Sequence, residues 1–500
     1  MDRDRTTHKD LELFSFIRRT FWPVKNSELP KVLSLAFLIF FSLFNQNLLR
    51  ILKDSILISE VSAEITNFAK ICVLMPLATL FIIGYTKATN HYRFASIYYV
   101  LIISFTTFFA FFAFVLYPNV EMFHPDQLKT KELMAIYPNL KWYIALFGNW
   151  AYVVFYVLAE LWPNIFYILM CWHIANQITS SEEAGRVYTS IALIGNSSAV
   201  LVGWGMSSIA SNDSYILKYI NSTNHNLDTV QIAIMMLCFS SVFMILIIRY
   251  IDNYHPLQAR SNTHKLKLGI KESLRYILES RYLWLILIIS AAFGLTMNLI
   301  EGVWRAKIKE LYPTMRGYME CASTSIMWTG IVIMIVTVIG NNLMRFFGWL
   351  AVAMITPVTM LVTGVIFFAL VIYGDGFYHL LNIKYFESPL AFAVFIGMVQ
   401  NIITKGTKYS VSDASREMLY IPLNEELKTK GKAAVDIISS KIGKSLSSLI
   451  QMTLFTIFPF ATYDTFAILL MIIFITAAVI WILSLKTINV DYQKLLSKTD

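Results

Sequence analysis

LSLAFLIFFSLFNQNLLRILKDSILIS, residues 33–59, is an apolar run longer than the roughly 20 residues a helix needs to cross a bilayer, yet Lys53 lies within it. Three other charged residues, Glu160, Glu301 and Lys444, sit in apolar segments of similar length. An ionised side chain near mid-bilayer costs at least about 2.5–3.5 kcal/mol, so such groups need partners or a substrate pathway. The default reading is a transport site in a membrane protein.

Composition supports that class. The 500 residues are 57% hydrophobic, 15% aromatic and only 15% charged, with a mean hydropathy of +0.59. This is too apolar for a soluble chain of that length and predicts an all-α polytopic membrane protein. The net charge of +9, from 41 Lys+Arg against 32 Asp+Glu, reads as basic cytoplasmic loops rather than as a nucleic-acid surface. Cys72, Cys171, Cys238 and Cys321 form no CxxC pair, which implies neither a disulfide framework nor a zinc site and leaves them as inert packing residues. Residues 1–30 are polar and lack the layout of a cleaved signal peptide, so the first apolar segment is expected to be retained.

Membrane-length windows recur at 32–49, 68–87, 94–117, 144–177, 187–210, 228–251, 281–302, 323–342, 348–373, 387–404, 435–459 and 464–485, about twelve spans in all. The fourth is overlong and contains Pro163, which predicts a kink or a split into two segments. An even number of spans puts both termini on one side. The basic connection 252–280, with Arg260, Lys265, Lys267, Lys271 and Arg275, marks that side as cytoplasmic. The chain therefore divides into an N-terminal segment 1–31, a six-helix bundle 32–251, the basic linker 252–280, a second six-helix bundle 281–486 and a tail 487–500. Two bundles of this kind suit a major-facilitator-like transporter with its site at the interface. The halves echo each other faintly, NQNLLRILKD (45–54) against MNLIEGVWRAK (297–307), which aligns Lys53 with Glu301.

The loop 303–322 contradicts the charge rule, since Arg305, Lys307, Lys309 and Arg316 would lie near the outer face. A helix repeat puts Arg305 on the face of Glu301 and points Lys307 elsewhere. Arg305, Lys307 and Lys309 are expected to draw a polyanion towards the cavity entrance, unless they merely border the membrane surface. No Ser/His/Asp set, HExxH or metal-ligand nest is present, so neither an enzyme nor a cofactor is expected. His173, mid-span, reads as a packing histidine. GKS (443–445) lacks the upstream glycine of a phosphate-binding loop, because position 438 is Ile438, and an ATPase is rejected. Lysines in a membrane cavity suit an anionic substrate, and glutamates can pair with them when it is empty. Taken singly, each charge could instead serve an interhelical pair or snorkel; four together favour a site.

ILKDSILIS (51–59), AELWPNIFYILMCWHIANQIT (159–179), NLIEGVWRAKIKELYPT (298–314) and KYSVSDASREMLYIPLNEELKTKGKAAVDIISSKIGKS (408–445) resemble segments of the ATP/ADP translocase family of obligate intracellular bacteria and plastids. The resemblance implies a twelve-helix nucleotide transporter of the inner membrane, with both termini cytoplasmic and acting as a monomer, that imports host nucleoside triphosphate in exchange for diphosphate plus phosphate. By motif, the implied substrate-binding residues are Lys53, Glu160, Glu301 and Lys444, with Arg50, Asp54, Asn164, Arg305, Lys307 and Lys441 as secondary candidates. Proton-coupled nucleotide uptake is the alternative, and a non-transporting scaffold or sensor retaining the fold is a third reading. Pro163 and Asn164 after AELW, Leu446 and Ser447 after GKS, and Val411 to Ser415 depart from the family's usual Gly-Thr or Gly-Ser, paired glycines and LFDAT-like string. Losing two glycines beside a phosphate lysine narrows the approach glycine permits. The pattern resembles rickettsial paralogues associated with guanine nucleotides, so GTP/GDP stands beside ATP/ADP as a substrate pair.

Overall fold

In the computed structural model the described residues are 24–497, except 26, 212, 221–223, 255–256, 258–279, 381–385, 424–426 and 428–430, together with the side chains of a few helix residues. The linker 252–280 and the segment 1–31 fall largely outside them. Among the described residues all regular structure is helical. The long helices are α1 (Leu29–Glu60), α2 (Ile65–His91), α3 (Phe94–Leu116), α4 (Trp150–Ile178), α5 (Ser181–Ala210), α6 (His225–Tyr254), α7 (Arg281–Leu311), α8 (Met315–Ile339), α9 (Phe346–Gly374), α10 (Pro389–Met418), α11 (Lys432–Ile457) and α12 (Tyr463–Leu496). Eleven of them are long and apolar enough to cross a membrane by composition alone, which makes this a multi-pass membrane protein. The remaining one, α11, is 26 residues long but carries Lys441, Lys444, Ser445, Ser447, Ser448 and Gln451. Its polar face is affordable only against other helices.

Helix starts follow from local chemistry. Pro30 opens α1, Ser180 and Glu183 form a reciprocal capping box before α5, and Ser280 and Ser388 cap α7 and α10. At 32 residues α1 is about 48 Å long, more than the hydrocarbon thickness, so it must tilt or project. The overlong fourth segment is split in two, but at Asn149 rather than at Pro163. Residues Lys141–Gly148 form a separate short helix that ends at Asn149, and Pro163 opens a stretch of π-helix, Pro163–Cys171, within a continuous α4. Proline cannot donate to the carbonyl one turn back, and the wider turn absorbs that loss. Further π-turns occur at Ala69–Leu74 in α2, Phe112–Leu116 in α3 and Lys408–Ser412 in α10. Near the start of α9 the backbone leaves helical geometry at Gly348 (φ 76°), where a side chain would be strained.

Two halves of six helices meet along α5 against α8, α1 against α7 and α8, and α2 against α11. The crossing of α5 and α8 is backbone-close, since a Cβ on Gly203 would come within 2.6 Å of the Met327 nitrogen. Small residues matter here because packing, not hydrophobicity, drives helix association in lipid. Apolar side chains such as Leu80, Trp204 and Phe239 face outward, where only an apolar solvent would accept them. The end at which α1 begins is called the near end below, and the opposite end the far end. His173 packs its ring 4.2 Å from that of Phe94. Cys171 and Cys321 are buried, but Cys72 is exposed and Cys238 half-buried, so packing describes only part of the set.

Candidate functional site

The core of the site lies where α1 and α7 cross. Arg50 Nη2 is 3.4 Å from Glu301 Oε1, and Arg305 Nη2 is 3.0 Å from Asp54 Oδ2. Both pairs follow from one register, Asn47 opposite Asn298, which sets Arg50 against Glu301 and Asp54 against Arg305. In this register the residues that meet carry opposite charge. The echo aligned Lys53 with Glu301, but Glu301 faces Arg50, and Lys53 turns towards α4. Its ammonium lies 3.0 Å from Glu160 Oε2, 2.8 Å from Asp54 Oδ1 and 4.4 Å from the centre of the Tyr156 ring. In the other half the polarity is inverted, with Lys405 of α10 reaching Glu301 of α7 at 2.8 Å. Glu160 lies one turn before the π-stretch of α4, and Lys405 one turn before that of α10.

Lys444 completes the cluster. It is brought forward by a backbone contact between α7 and α11: a Cβ on Gly443 would lie 2.4 Å from the Ala291 carbonyl oxygen. The close approach that paired glycines after GKS would give is thus made one helical turn earlier, at Gly443. Leu446 is exposed instead, and Ser447 is buried, its Oγ accepting a hydrogen bond from Gln451 at 3.0 Å. Lys444 and Lys70 both lie within Coulombic range of Glu160. The cluster then holds six cations, Arg50, Lys53, Lys70, Arg305, Lys405 and Lys444, against three carboxylates, Asp54, Glu160 and Glu301. Three surplus positive charges, on side chains that range from the buried Lys53 and Arg305 to the exposed Lys444, favour a polyanion.

The direction of access follows from where polar contacts join the halves. Asp54 to Arg305, the Ser59 carbonyl to Lys309 (2.8 Å), Asn67 to Tyr463 (3.0 Å) and the Ser211 carbonyl to Arg316 all cross between halves, from the middle of α1 to the far end. Near-end pairs close within a half: Lys31 with Glu183 (2.8 Å), Arg186 with Glu28 (3.0 Å) and Arg93 with Asp252 (3.3 Å) in one, Lys432 with Glu417 in the other. Among the described residues the polar contacts between halves run from the α1–α7 crossing, where Arg50 meets Glu301, to the far end. Tyr409, more than half exposed, and Lys408, 4.3 Å above its ring, lie on the near-end side of the cluster.

The four motif residues are therefore gathered together, with Arg50, Asp54 and Arg305 between them. Asn164 stands beside the cluster, hydrogen-bonded to the Glu160 carbonyl at 3.3 Å. The side chain of Lys441 lies outside the described residues. Lys307 is not part of the cluster, and the expected entrance-steering role does not fit it: it is buried between Asp464 (2.8 Å) and Glu310 (2.7 Å) at the sealed far end. Lys309 is likewise bound, to the carbonyls of Ser59 and Pro313. The basic run that broke the charge rule consists of fastenings. Sequence reading missed Lys405, Lys70 and Tyr156. Lys405 had a usable signal, a lysine in the apolar part of α10, with Lys408 one turn on.

The model of the TLC ATP/ADP transporter family matches residues 7–492. The chain is 49% identical to ADP,ATP carrier protein 5 of Rickettsia bellii, across 96% of this chain and 98% of that one. It is equally close to the protein of that name from Rickettsia prowazekii, across 96% and 97%. To ADP,ATP carrier protein 4 of Rickettsia conorii it is 35% identical, across 98% and 97%. In fold it resembles a bacterial homologue of the iron transporter ferroportin in an inward-facing state, with a TM-score of 0.55 at 13% identity, covering 94% of this chain and 99% of that one. A xylose transporter of E. coli in an inward-open conformation gives 0.54 at 11% identity, covering 92% and 95%. Both likenesses speak for a major-facilitator-like fold alone.

Proposed function

Since the chain belongs to the TLC ATP/ADP transporter family, we propose that it is a nucleotide antiporter that imports nucleoside triphosphate in exchange for diphosphate. The observation that carries this reading is the surplus of cations over carboxylates around Glu160 and Glu301. Phosphate oxygens are strong acceptors for charge-assisted hydrogen bonds, and binding them offsets the cost of holding like charges in an apolar surround. Lys53 and Lys444 are the principal phosphate ligands, with Arg50 and Lys405 beside them. Glu160 and Glu301 hold these cations in place while the site is empty and release them to the substrate.

With both termini in the cytoplasm of the bacterial cell, the near end is the cytoplasmic one, and the fastened far end makes this an inward-facing state. Substrate binding in the cluster exchanges carboxylate partners for phosphate, which loosens the α1 to α7 pairs and lets the halves rock around a fixed midplane site. Exchange is favoured over proton coupling because each carboxylate is engaged by at least one cation within 3.0 Å, and a proton carrier would first have to give up those pairs.

The test is uptake of labelled ATP by cells expressing the chain. Preloading with unlabelled ADP should accelerate entry, and Lys53→Gln or Lys444→Gln should abolish it while leaving folded protein in the membrane. Uptake indifferent to internal nucleotide and collapsed by a protonophore would overturn exchange. Competition between ATP and GTP assigns the base.

A further inference from the structure

We propose that Lys70 is a third polyphosphate-binding lysine, held in the empty state on Asn298 and drawn off it when nucleotide arrives. This rests on the nucleotide reading above and adds to it a residue on α2 and a link to the far-end seam.

Lys70 Nζ donates to Asn298 Oδ1 at 2.8 Å. Lysine can only donate, so this contact fixes the orientation of the amide, whose nitrogen then donates to Ser448 Oγ at 3.0 Å. The chain Lys70, Asn298, Ser448 thus runs from α2 in one half to α7 and α11 in the other. Asn298 lies one turn before Glu301, and Ser448 one turn after Lys444, so the bridge flanks the cluster. Among the described residues this amide is the one hydrogen-bond acceptor that the ammonium meets, and no ion pair joins it to a carboxylate. Of the other five cations of the cluster, Arg50, Lys53, Arg305 and Lys405 each have a carboxylate within 3.4 Å, while Lys444, which forms no ion pair among the described residues, is exposed. Glu160, Glu301, Lys53 and Arg305 act on Lys70 only at longer range.

An ammonium in a membrane interior with a single neutral acceptor is under-compensated, and an anion reaching it gains more than at an already paired cation. Its backbone setting points the same way. Lys70 stands in the π-turn of α2, its own carbonyl accepting from the Met75 N–H five residues on, just ahead of Pro76. Turns of this kind are concentrated at functional sites. Because Asn298 belongs to the opposite half, moving Lys70 from amide to phosphate removes a fastening of the seam, which ties occupancy to release of the far end.

The experiment uses purified full-length protein and measures saturable thermal stabilisation by ATP, ADP and AMP for wild type, Lys70→Met, Lys70→Arg and Asn298→Ala. Loss of one charged hydrogen bond predicts about a ten- to hundredfold weaker apparent affinity for ATP in Lys70→Met. AMP should be little affected, so that the preference for ATP over AMP narrows, and Lys70→Arg should restore most of it. Asn298→Ala removes the same bridge but keeps the charge, and should bind ATP at least as tightly as wild type. If Asn298→Ala weakens ATP as much as Lys70→Met does, or if Lys70→Met binds ATP like wild type, Lys70 is a structural bridge and the proposal is wrong. Absence of any saturable stabilisation of wild type by ATP, ADP or GTP would instead overturn the nucleotide reading itself.

Discussion

From the middle of α1 to the far end, Asp54 with Arg305, Ser59 with Lys309 and Ser211 with Arg316 join one half of the molecule to the other, whereas Lys31 with Glu183, Arg186 with Glu28 and Lys432 with Glu417 at the near end each close within a half. A contact inside a rigid half contributes equally to every arrangement of the halves. A contact between halves contributes only while they touch. The two sets use the same chemistry, so the difference lies in what each can control: the near-end pairs bear on stability, the far-end pairs on the balance between conformations. The cluster around Glu301 sits where the two regimes meet, and its substitutions should change both.

Glu301→Gln should have the largest effect. Arg50, Arg305 and Lys405 all converge on this carboxylate, at 3.4, 3.6 and 2.8 Å. Removing it strands buried cations at a cost of about 3–5 kcal/mol. Both a fall in the thermal midpoint and loss of nucleotide uptake are expected. Adding Lys405→Met should recover much of the midpoint and none of the uptake, measured on the same membranes. Recovery of transport in the double variant would show that the pair is a structural fastening alone. Asp54→Asn should cost less, because Lys53 keeps Glu160 and Arg305 keeps Glu301.

Next in size is the far-end seam. Lys309→Met combined with Arg316→Gln removes two charge-assisted bonds to backbone carbonyls of the opposite half. At roughly 1.5–3 kcal/mol for a bond to a charged group, the fraction of molecules open at the far end should rise at least about tenfold. The reporter is a cysteine introduced at Ser207, on the α5 side of the seam, labelled by a membrane-impermeant maleimide and compared with protein lacking it. An unchanged labelling rate would mean that α5 packing on α8 alone holds the seam.

Much of this is legible in the sequence. Span positions and the four motif charges follow from hydropathy and from the cost of charge in lipid, both of which act locally. Partners were harder. That Lys53 pairs with Glu160, and Glu301 with Lys405, depends on how α1 meets α4 and α7 meets α10, which periodicity within one segment does not encode. Arg305, Lys307 and Lys309 illustrate the same limit. As sequence they are surplus positive charge at the wrong end; as structure each is consumed by Asp54, by Asp464 and Glu310, or by a carbonyl. Lys70 gave no signal, since a lysine at the head of an apolar run is what a membrane boundary looks like.

The smallest effect is expected at the near end. Lys31 and Glu183 are partly exposed, so Lys31→Gln should cost no more than about 1 kcal/mol and leave uptake within about twofold of wild type. The pair should nevertheless leave a trace in acid. Glu183 precedes the membrane-spanning part of α5, and its hydrogen bond from Lys31, followed by that from the Ser180 backbone, holds its carboxyl down at about 2. A depressed carboxyl contributes stability that is present above the ordinary carboxylate range and fades as pH falls towards about 2. Wild type and Lys31→Gln should therefore differ in thermal midpoint at neutral pH and converge on acidification, with no matching change in far-end maleimide labelling at any pH. If Lys31→Gln alters that labelling, the near-end pair communicates with the seam and the division between the two ends fails.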